Sequence, residues 1–162
     1  MSVVLRPGRG FLFAHPAHFI AFGFGVGMAR FAPGTFGTLL AWPFAAFIHG
    51  LAPAVLAGTL IALFLLGVWA CEVSGRNLGL EDHAGMVWDE LVAFLLILAI
   101  VPNELGWQAA AFCVFRAFDI AKPPPIRGFE QRFGGGFGVM FDDLVAAGYT
   151  LLVLALLQRL MP

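Results

Sequence analysis

Two pairs of adjacent carboxylates lie beside long apolar segments of this chain. Asp89 and Glu90 begin the stretch DELVAFLLILAIVP, and Asp142 and Asp143 lie in GVMFDDLVAAG. An ionised side chain at membrane depth costs at least ~2.5 kcal/mol, so such residues usually line a site or a pathway. A single Asp at a helix start is most often a cap or a partner of the helix dipole, but a cap needs only one carboxylate. The doublets therefore indicate a binding site.

The chemistry that suits these acids is the binding of a hard divalent cation. Carboxylates packed together repel one another unless a cation neutralises them. Mg²⁺ prefers oxygen ligands and is usually bound by one or two carboxylates together with a substrate phosphate. The chain has only four histidines and two cysteines, which favours Mg²⁺ or Mn²⁺ over Zn²⁺. We predict a Mg²⁺ site whose candidate ligands are Asp82, Asp89, Glu90, Asp142 and Asp143.

Basic and glycine-rich segments near the acids suit a phosphate group. In FRAFDIAK, the spacing places Arg116 and Asp119 on one helix face and Lys122 at the helix end. The run GGGFG precedes the last predicted helix, where backbone N–H groups can bind an anion. The candidate phosphate ligands are therefore Arg116, Lys122, Gly135 and Gly136. The alternative is that the two basic side chains are only counter-ions of the acids or extend to the membrane surface.

The composition is that of a membrane protein. Of the 162 residues, 60% are hydrophobic and 12% are charged, whereas soluble domains average roughly 25% charged residues. The net charge of −1 provides no field that would attract nucleic acid. We find no linker, charge-rich run or internal repeat, so residues 1–162 are predicted to form a single domain.

Five apolar segments approach or reach the ~17 to 20 residues that a membrane-crossing helix needs. They are roughly 36–51, 53–74, 88–102, 105–121 and 140–160. We predict an all-α, polytopic membrane helix bundle with four to five membrane helices. The segments 36–51, 88–102 and 105–121 are short or interrupted, and are expected to be tilted, kinked or packed inside the bundle. Residues 16–29, rich in Phe and Gly, are predicted to form a short interfacial or re-entrant helix.

Alternation of these segments across the membrane brings the polar loops to one side. Seven of the ten acidic residues then share that side, namely Glu81, Asp82, Asp89, Glu90, Asp119, Asp142 and Asp143. Eight of the nine basic residues lie on or near the same side, namely Arg6, Arg9, Arg30, Arg76, Arg116, Lys122, Arg127 and Arg132. Only Arg159 is opposite. Positively charged residues stay in the cytoplasm, so we predict that the site faces the cytoplasm.

The chain combines acidic residues that suit a metal ion with basic residues that suit a phosphate, and it has the composition of a membrane protein. This combination indicates an enzyme that acts on the phosphoryl group of an amphiphile. A small ion-coupled transporter is the alternative, because it also places carboxylates in membrane helices. Transporters typically hold such groups near mid-membrane between inverted repeats, and neither feature is visible here. A non-catalytic scaffold would have no reason to gather so many acids against bases on one face.

Four motifs resemble the phosphatidylglycerophosphatase A family. They are PGTFGT, DHAGMVWDE, FRAFDIAKPPPI and GGGFGVMFDDLVAAG, in this order and spacing. The resemblance implies a Mg²⁺-dependent phosphatase of the bacterial inner membrane that removes the terminal phosphate of phosphatidylglycerophosphate, a phospholipid, to give phosphatidylglycerol. The family's acidic motif residues correspond to Asp82, Asp89, Glu90, Asp119, Asp142 and Asp143, and its basic ones to Arg116 and Lys122.

Two nucleophiles are compatible with such a phosphatase. Water activated by the metal is the favoured one, and the number of acids would allow a second ion. The other is a carboxylate that forms an aspartyl-phosphate, for which Asp142 or Asp89 would be the candidate. In either case the residues expected to take part in catalysis are Asp89, Glu90, Asp119, Asp142 and Asp143.

Overall fold

The computed structural model describes residues 7–124 and 133–160, and within these ranges the chain is helical and contains no strand. The predicted all-α class is therefore confirmed for this part of the chain. The helices are α1 (Arg9–Ala14), α2 (Pro16–Ala21), a 3-10 helix (Gly23–Met28), α3 (Pro33–Ile48), α4 (Pro53–Leu78), α5 (Trp88–Ile100), α6 (Leu105–Ala121) and α7 (Gly135–Leu160).

Helix α5 lies at the centre of the bundle. It packs against α3 and α7 and also contacts α4 and α6, and nine of its 13 residues are buried. A helix that is hydrophobic on all sides is stable only when it is surrounded. At 1.5 Å per residue its 13 residues extend about 20 Å, well short of the ~30 Å hydrocarbon layer. The segment predicted as a short helix inside the bundle is thus enclosed by other helices.

Two helices, α4 and α7, are long and apolar enough to cross a membrane, at 26 residues each. Only 17% of the most apolar stretch of α4 is buried within the protein, whereas the core helix of a soluble protein would be mostly buried. Large side chains such as Ile61, Leu65 and Leu156 are more than half exposed on these helices. By length and composition, the described part of the chain contains two candidate spans. The predicted count of four to five is not confirmed, because α3, α5 and α6 have only 16, 13 and 17 residues.

The N-terminal segment lies against the bundle. Helix α2 packs on α4 and the 3-10 helix packs on α3. His18 is 2% exposed, and its two ring nitrogens lie 2.8 Å from the Phe11 carbonyl oxygen and 2.9 Å from Asn77 Nδ2. The contact with Asn77 attaches the segment that was predicted as interfacial or re-entrant to the end of α4.

Close packing between α4 and α7 depends on glycine. At Gly136 a Cβ atom would lie only 2.1 Å from the Val68 carbonyl oxygen, so any larger residue would push the two helices apart. Gly135 adopts φ +71°, a conformation that other residues rarely take. Helix α7 therefore begins at Gly135 rather than near residue 140 as predicted, and the glycine run mostly forms its first turn instead of preceding it.

Candidate active site

Five helix ends meet at one end of the bundle, as the alternation of the segments predicted. Gly34 at the start of α3 faces Glu90 in the first turn of α5 and Arg116 near the end of α6. Lys122, directly after α6, contacts Asp142 of α7, and the end of α4 adjoins the start of α7. Antiparallel neighbours bring alternate ends together, which places acidic and basic residues from distant parts of the chain side by side.

Three carboxylates form the centre of the site. Oxygen atoms of Asp89, Glu90 and Asp143 lie within 4.8 Å of one another. Each residue also has a buried oxygen without a hydrogen-bond partner: Asp89 Oδ1, Glu90 Oε2 and Asp143 Oδ2. Burying a carboxylate oxygen is costly unless a cation or a hydrogen-bond donor replaces its water. We call these three residues the carboxylate trio, and their chemistry fits a hard divalent cation such as Mg²⁺.

Asp142 lies next to the trio in a different environment. Its Oδ2 atom is 2.6 Å from Lys122 Nζ, and its Oδ1 atom accepts a hydrogen bond of 3.1 Å from the Asp143 N–H. Asp142 and Asp143 are the eighth and ninth residues of α7, which begins at Gly135. They are thus two turns inside the helix, and the interpretation of this doublet as helix caps does not hold.

Asp82 lies at the edge of the site, in the loop between α4 and α5. It lines a cleft of about 110 Å³ together with Glu81, Gly138 and Asp142. Asp82 and Asp142 were both predicted as metal ligands, and neither belongs to the trio. The structure places Asp82 and Asp142 beside the trio, in the wall of this cleft.

Arg116 connects the trio to Asp119. One guanidinium nitrogen, Nη1, lies 3.5 Å from Glu90 Oε1 and pairs with the Asp119 carboxylate. The same nitrogen is 3.5 Å from the hydroxyl of the fully buried Thr38. Arg116 is therefore held among carboxylates, while its buried Nε has no partner.

Lys122 follows the last residue of α6 with φ +40°, a left-handed conformation that is uncommon for a residue other than glycine. Residues held in such conformations cluster at functional sites. The conformation places the ammonium group against Asp142, so the two basic side chains predicted to bind phosphate lie close to the acids. The arrangement suits positioning of a phosphoryl group beside a cation.

The glycine run binds a carboxylate of the protein itself. The Gly136 N–H donates a hydrogen bond of 2.7 Å to Oε2 of Glu72, on α4. A Cβ atom at Gly135 would lie 2.3 Å from the same oxygen. In this structure the anion at the start of α7 is therefore Glu72, at the place where Gly135 and Gly136 were predicted to bind the substrate phosphate.

Sequence reasoning missed Gly34 as well as Glu72. A Cβ atom at Gly34 would lie 2.1 Å from Glu90 Oε1 and 3.1 Å from Arg116 Nη2, so a side chain at this position would displace the ion pair of Glu90 and Arg116. The available signal was its position in PGTFGT, but the partner in contact with it could not be inferred. Glu72 lies in an apolar helix, where its spacing from Arg76 indicates an i,i+4 ion pair, but nothing in the sequence indicates its contact with Gly136.

Comparison with known proteins identifies relatives over most of the chain. A sequence profile described as phosphatidylglycerophosphatase A matches residues 19–158. The chain is 42% identical over 152 residues to the phosphatidylglycerophosphatase A of Haemophilus influenzae, covering 89% of this chain and 90% of that protein. It is 38% identical over 135 residues to the phosphatidylglycerophosphatase A of Escherichia coli, covering 82% and 78%.

A relative from Bacteroides thetaiotaomicron, 40% identical over 144 residues, carries the provisional name phosphatidylinositol-3-phosphatase, with 84% of this chain and 89% of that protein covered. No solved structure matches the chain significantly. The profile covers most of the sequence and includes every residue of the carboxylate trio. The chain belongs to the phosphatidylglycerophosphatase A family.

Proposed function

We propose that this protein hydrolyses the terminal phosphomonoester of phosphatidylglycerophosphate, releasing phosphatidylglycerol and inorganic phosphate. The observation that carries the proposal is the carboxylate trio, with three unpartnered buried oxygens, directly beside Arg116. Membership of the phosphatidylglycerophosphatase A family supports the choice of substrate. The trio lies at one end of the bundle, and no observation favours the transporter alternative.

Mg²⁺ is the proposed cofactor, and Asp89, Glu90 and Asp143 would hold it. When bound, the ion would neutralise charge on the phosphoryl oxygens and lower the pKa of water to make a nucleophile. Arg116 would bind phosphoryl oxygens with its planar guanidinium, and Lys122 would contribute a point charge. Asp119 would orient the guanidinium through their ion pair.

Water is the better candidate for the nucleophile. Both carboxylate oxygens of Asp142 accept hydrogen bonds, one of them from a cation. Such bonds stabilise the charged carboxylate and reduce its tendency to attack phosphorus. Asp142 is therefore assigned to holding Lys122 in place, and the aspartyl-phosphate alternative loses one of its two candidates.

Phosphate release in detergent tests this function. The purified protein is expected to release phosphate from phosphatidylglycerophosphate, to stop when EDTA is added, and to recover when Mg²⁺ is restored in excess. Activity that EDTA leaves unchanged would contradict the metal site. Phosphatidylinositol 3-phosphate serves as the second substrate, and a higher kcat/KM for it than for phosphatidylglycerophosphate would reverse the assignment.

We further propose that the protein resides in the bacterial inner membrane, with α3 to α7 in the bilayer and the active site facing the cytoplasm. Arg9, Arg30, Arg76, Arg116 and Lys122 lie at the site's end of the bundle, and Arg159 is in the last turn of α7 at the other. Arg6, Arg127 and Arg132, which contributed to the predicted bias, lie outside the described residues. The described basic residues are still unequally distributed, with five at the site's end and one at the other. A cytoplasmic site agrees with the positive-inside rule.

Cysteine accessibility tests this orientation. In a background with Cys71 and Cys113 replaced by alanine, Leu80→Cys is expected to resist an impermeant thiol reagent in intact cells and to react in inverted vesicles. Gly50→Cys, in the turn between α3 and α4, should do the opposite. Both positions are exposed, so access depends on the side of the membrane. Labelling of Leu80→Cys from outside intact cells would overturn the proposed orientation.

A further inference from the structure

Three clefts with charged residues in their walls open at the site's end of the bundle, and they differ in charge. A cleft of about 430 Å³ is lined by Glu72 and Glu81, with Arg76 paired to Glu72. The cleft of about 110 Å³ is lined by Glu81, Asp82 and Asp142. The third, of about 360 Å³, is lined by Arg30 and His83 and by no carboxylate among the residues that the structure describes. We call this third cavity the Arg30 cleft.

The proposed substrate carries two anionic groups. One is the terminal phosphomonoester that is removed, and the other is the phosphodiester that joins the glycerol to the diacylglycerol. When the monoester lies against Arg116, the diester must lie a glycerol's length away. The carboxylate-lined clefts would repel it, whereas a cleft with a guanidinium and an imidazole would attract it.

We propose that the Arg30 cleft binds the phosphodiester group of the lipid substrate. This proposal rests on the proposed function, because it assigns a second part of the same substrate. It makes Arg30 and His83 determinants of substrate specificity: they distinguish a lipid with a phosphodiester from a simple lipid monophosphate.

The Arg30 cleft adjoins the active site through two backbone connections. Pro33 lines the cleft, and Gly34, the next residue, contacts Glu90 and Arg116. On the opposite wall, His83 directly follows Asp82, which lines the smallest cleft beside Asp142. Ala32, between Arg30 and Gly34, has φ +44°, and strained residues of this kind are typical of binding loops. A substrate could therefore reach both places at once.

The walls of the cleft are fixed by contacts between backbones. A Cβ atom at Gly27 would lie 1.9 Å from the Gly85 carbonyl oxygen, so the segment leading to Arg30 is packed directly on the loop that carries His83. His83 is 7% exposed, and its Nδ1 atom accepts a hydrogen bond of 2.9 Å from the Gly85 N–H. This hydrogen bond fixes the orientation of the His83 ring in the wall of the Arg30 cleft.

Competition between lipids tests the proposal, with release of labelled phosphate from phosphatidylglycerophosphate as the readout. Phosphatidylglycerol carries the diester alone and phosphatidate carries a monoester alone, and each is added as an unlabelled competitor. For Arg30→Gln, we expect the KM of the substrate and the inhibition constant of phosphatidylglycerol to rise about tenfold, the effect of losing one charge-assisted contact. The inhibition constant of phosphatidate should stay unchanged.

The matched control is Arg76→Gln, which removes the same charge at the same end of the bundle from a side chain that is 77% exposed and lines a carboxylate-rich cleft. This variant should leave unchanged the KM of the substrate and the inhibition constants of phosphatidylglycerol and phosphatidate. His83→Gln should repeat the pattern of Arg30→Gln. The proposal is overturned when phosphatidylglycerol fails to inhibit the wild type, when its inhibition constant is unchanged in Arg30→Gln, or when that of phosphatidate rises equally. If the wild type releases no labelled phosphate at all, the proposed function fails instead.

Discussion

Replacing Asp143 by asparagine is expected to reduce phosphate release by roughly 10³-fold or more while leaving the protein folded. Its Oδ2 atom is buried without a partner and lies among two other carboxylates. The amide has nearly the same shape but cannot provide the negative charge that a divalent cation needs. Because the change also removes repulsion, the metal-free variant should unfold at a higher temperature than metal-free wild type. Asp89→Asn and Glu90→Gln should behave in the same way.

Thermal unfolding measured against Mg²⁺ concentration separates loss of the metal from loss of the fold. A ligand that binds only the native state stabilises it by about 2.7 kcal/mol at a hundred times its dissociation constant. The Tm of the wild type should therefore rise with added Mg²⁺, and this rise should be much smaller in all three variants. A rise of normal size, or near-normal turnover at saturating Mg²⁺ in two of the three, would refute the metal site.

Glu104→Gln is the matched control for these variants. It makes the same change from carboxylate to amide, but Glu104 is exposed in the turn before α6, at the opposite end of the bundle. Turnover and the Mg²⁺-dependent rise in Tm should both be normal. A defect in this variant would show that the loss of any carboxylate impairs the protein, and the three site variants would then carry no specific information.

The convergence of the site residues could be predicted because the alternation of helix direction determines which helix ends lie together. Once five apolar segments alternate in direction across the bundle, Asp89, Arg116 and Asp143 must lie at the same end, whatever the details of packing. The charges of these residues then limit the chemistry, since carboxylates without a cation repel one another. This reasoning requires only segment lengths and residue types, and both can be read directly from the sequence.

The contacts that refine the site could not be predicted because they join residues that are far apart in the chain. Glu72 and Gly136 are 64 residues apart, and their hydrogen bond joins α4 to the first turn of α7. The lack of a side chain at Gly34 matters only because the fold brings Glu90 against it. The number of membrane helices was equally inaccessible, because hydropathy is similar for a helix that faces lipid and for one enclosed by protein. Helix α5 is of the second kind.

Arg116 poses the sharpest remaining question, because its contacts fit two roles. Its guanidinium touches Glu90 and pairs with Asp119, as a structural counter-ion would. It also lies beside the trio with its Nε unpartnered, where it could grip two phosphate oxygens. Arg116→Lys distinguishes these roles, because lysine keeps the positive charge but has no planar fork.

If Arg116 binds phosphate, the lysine variant should fold normally and its kcat/KM should fall at least about tenfold, which corresponds to about 1.4 kcal/mol of transition-state binding. The Mg²⁺ concentration for half-maximal activity should change little. Arg76→Lys, at the exposed pair with Glu72, is the control and should show normal kinetics. An unchanged kcat/KM in Arg116→Lys would leave Arg116 as a counter-ion only. A large increase in the Mg²⁺ requirement would instead mean that Arg116 acts on the metal site through Glu90, since that carboxylate belongs to both.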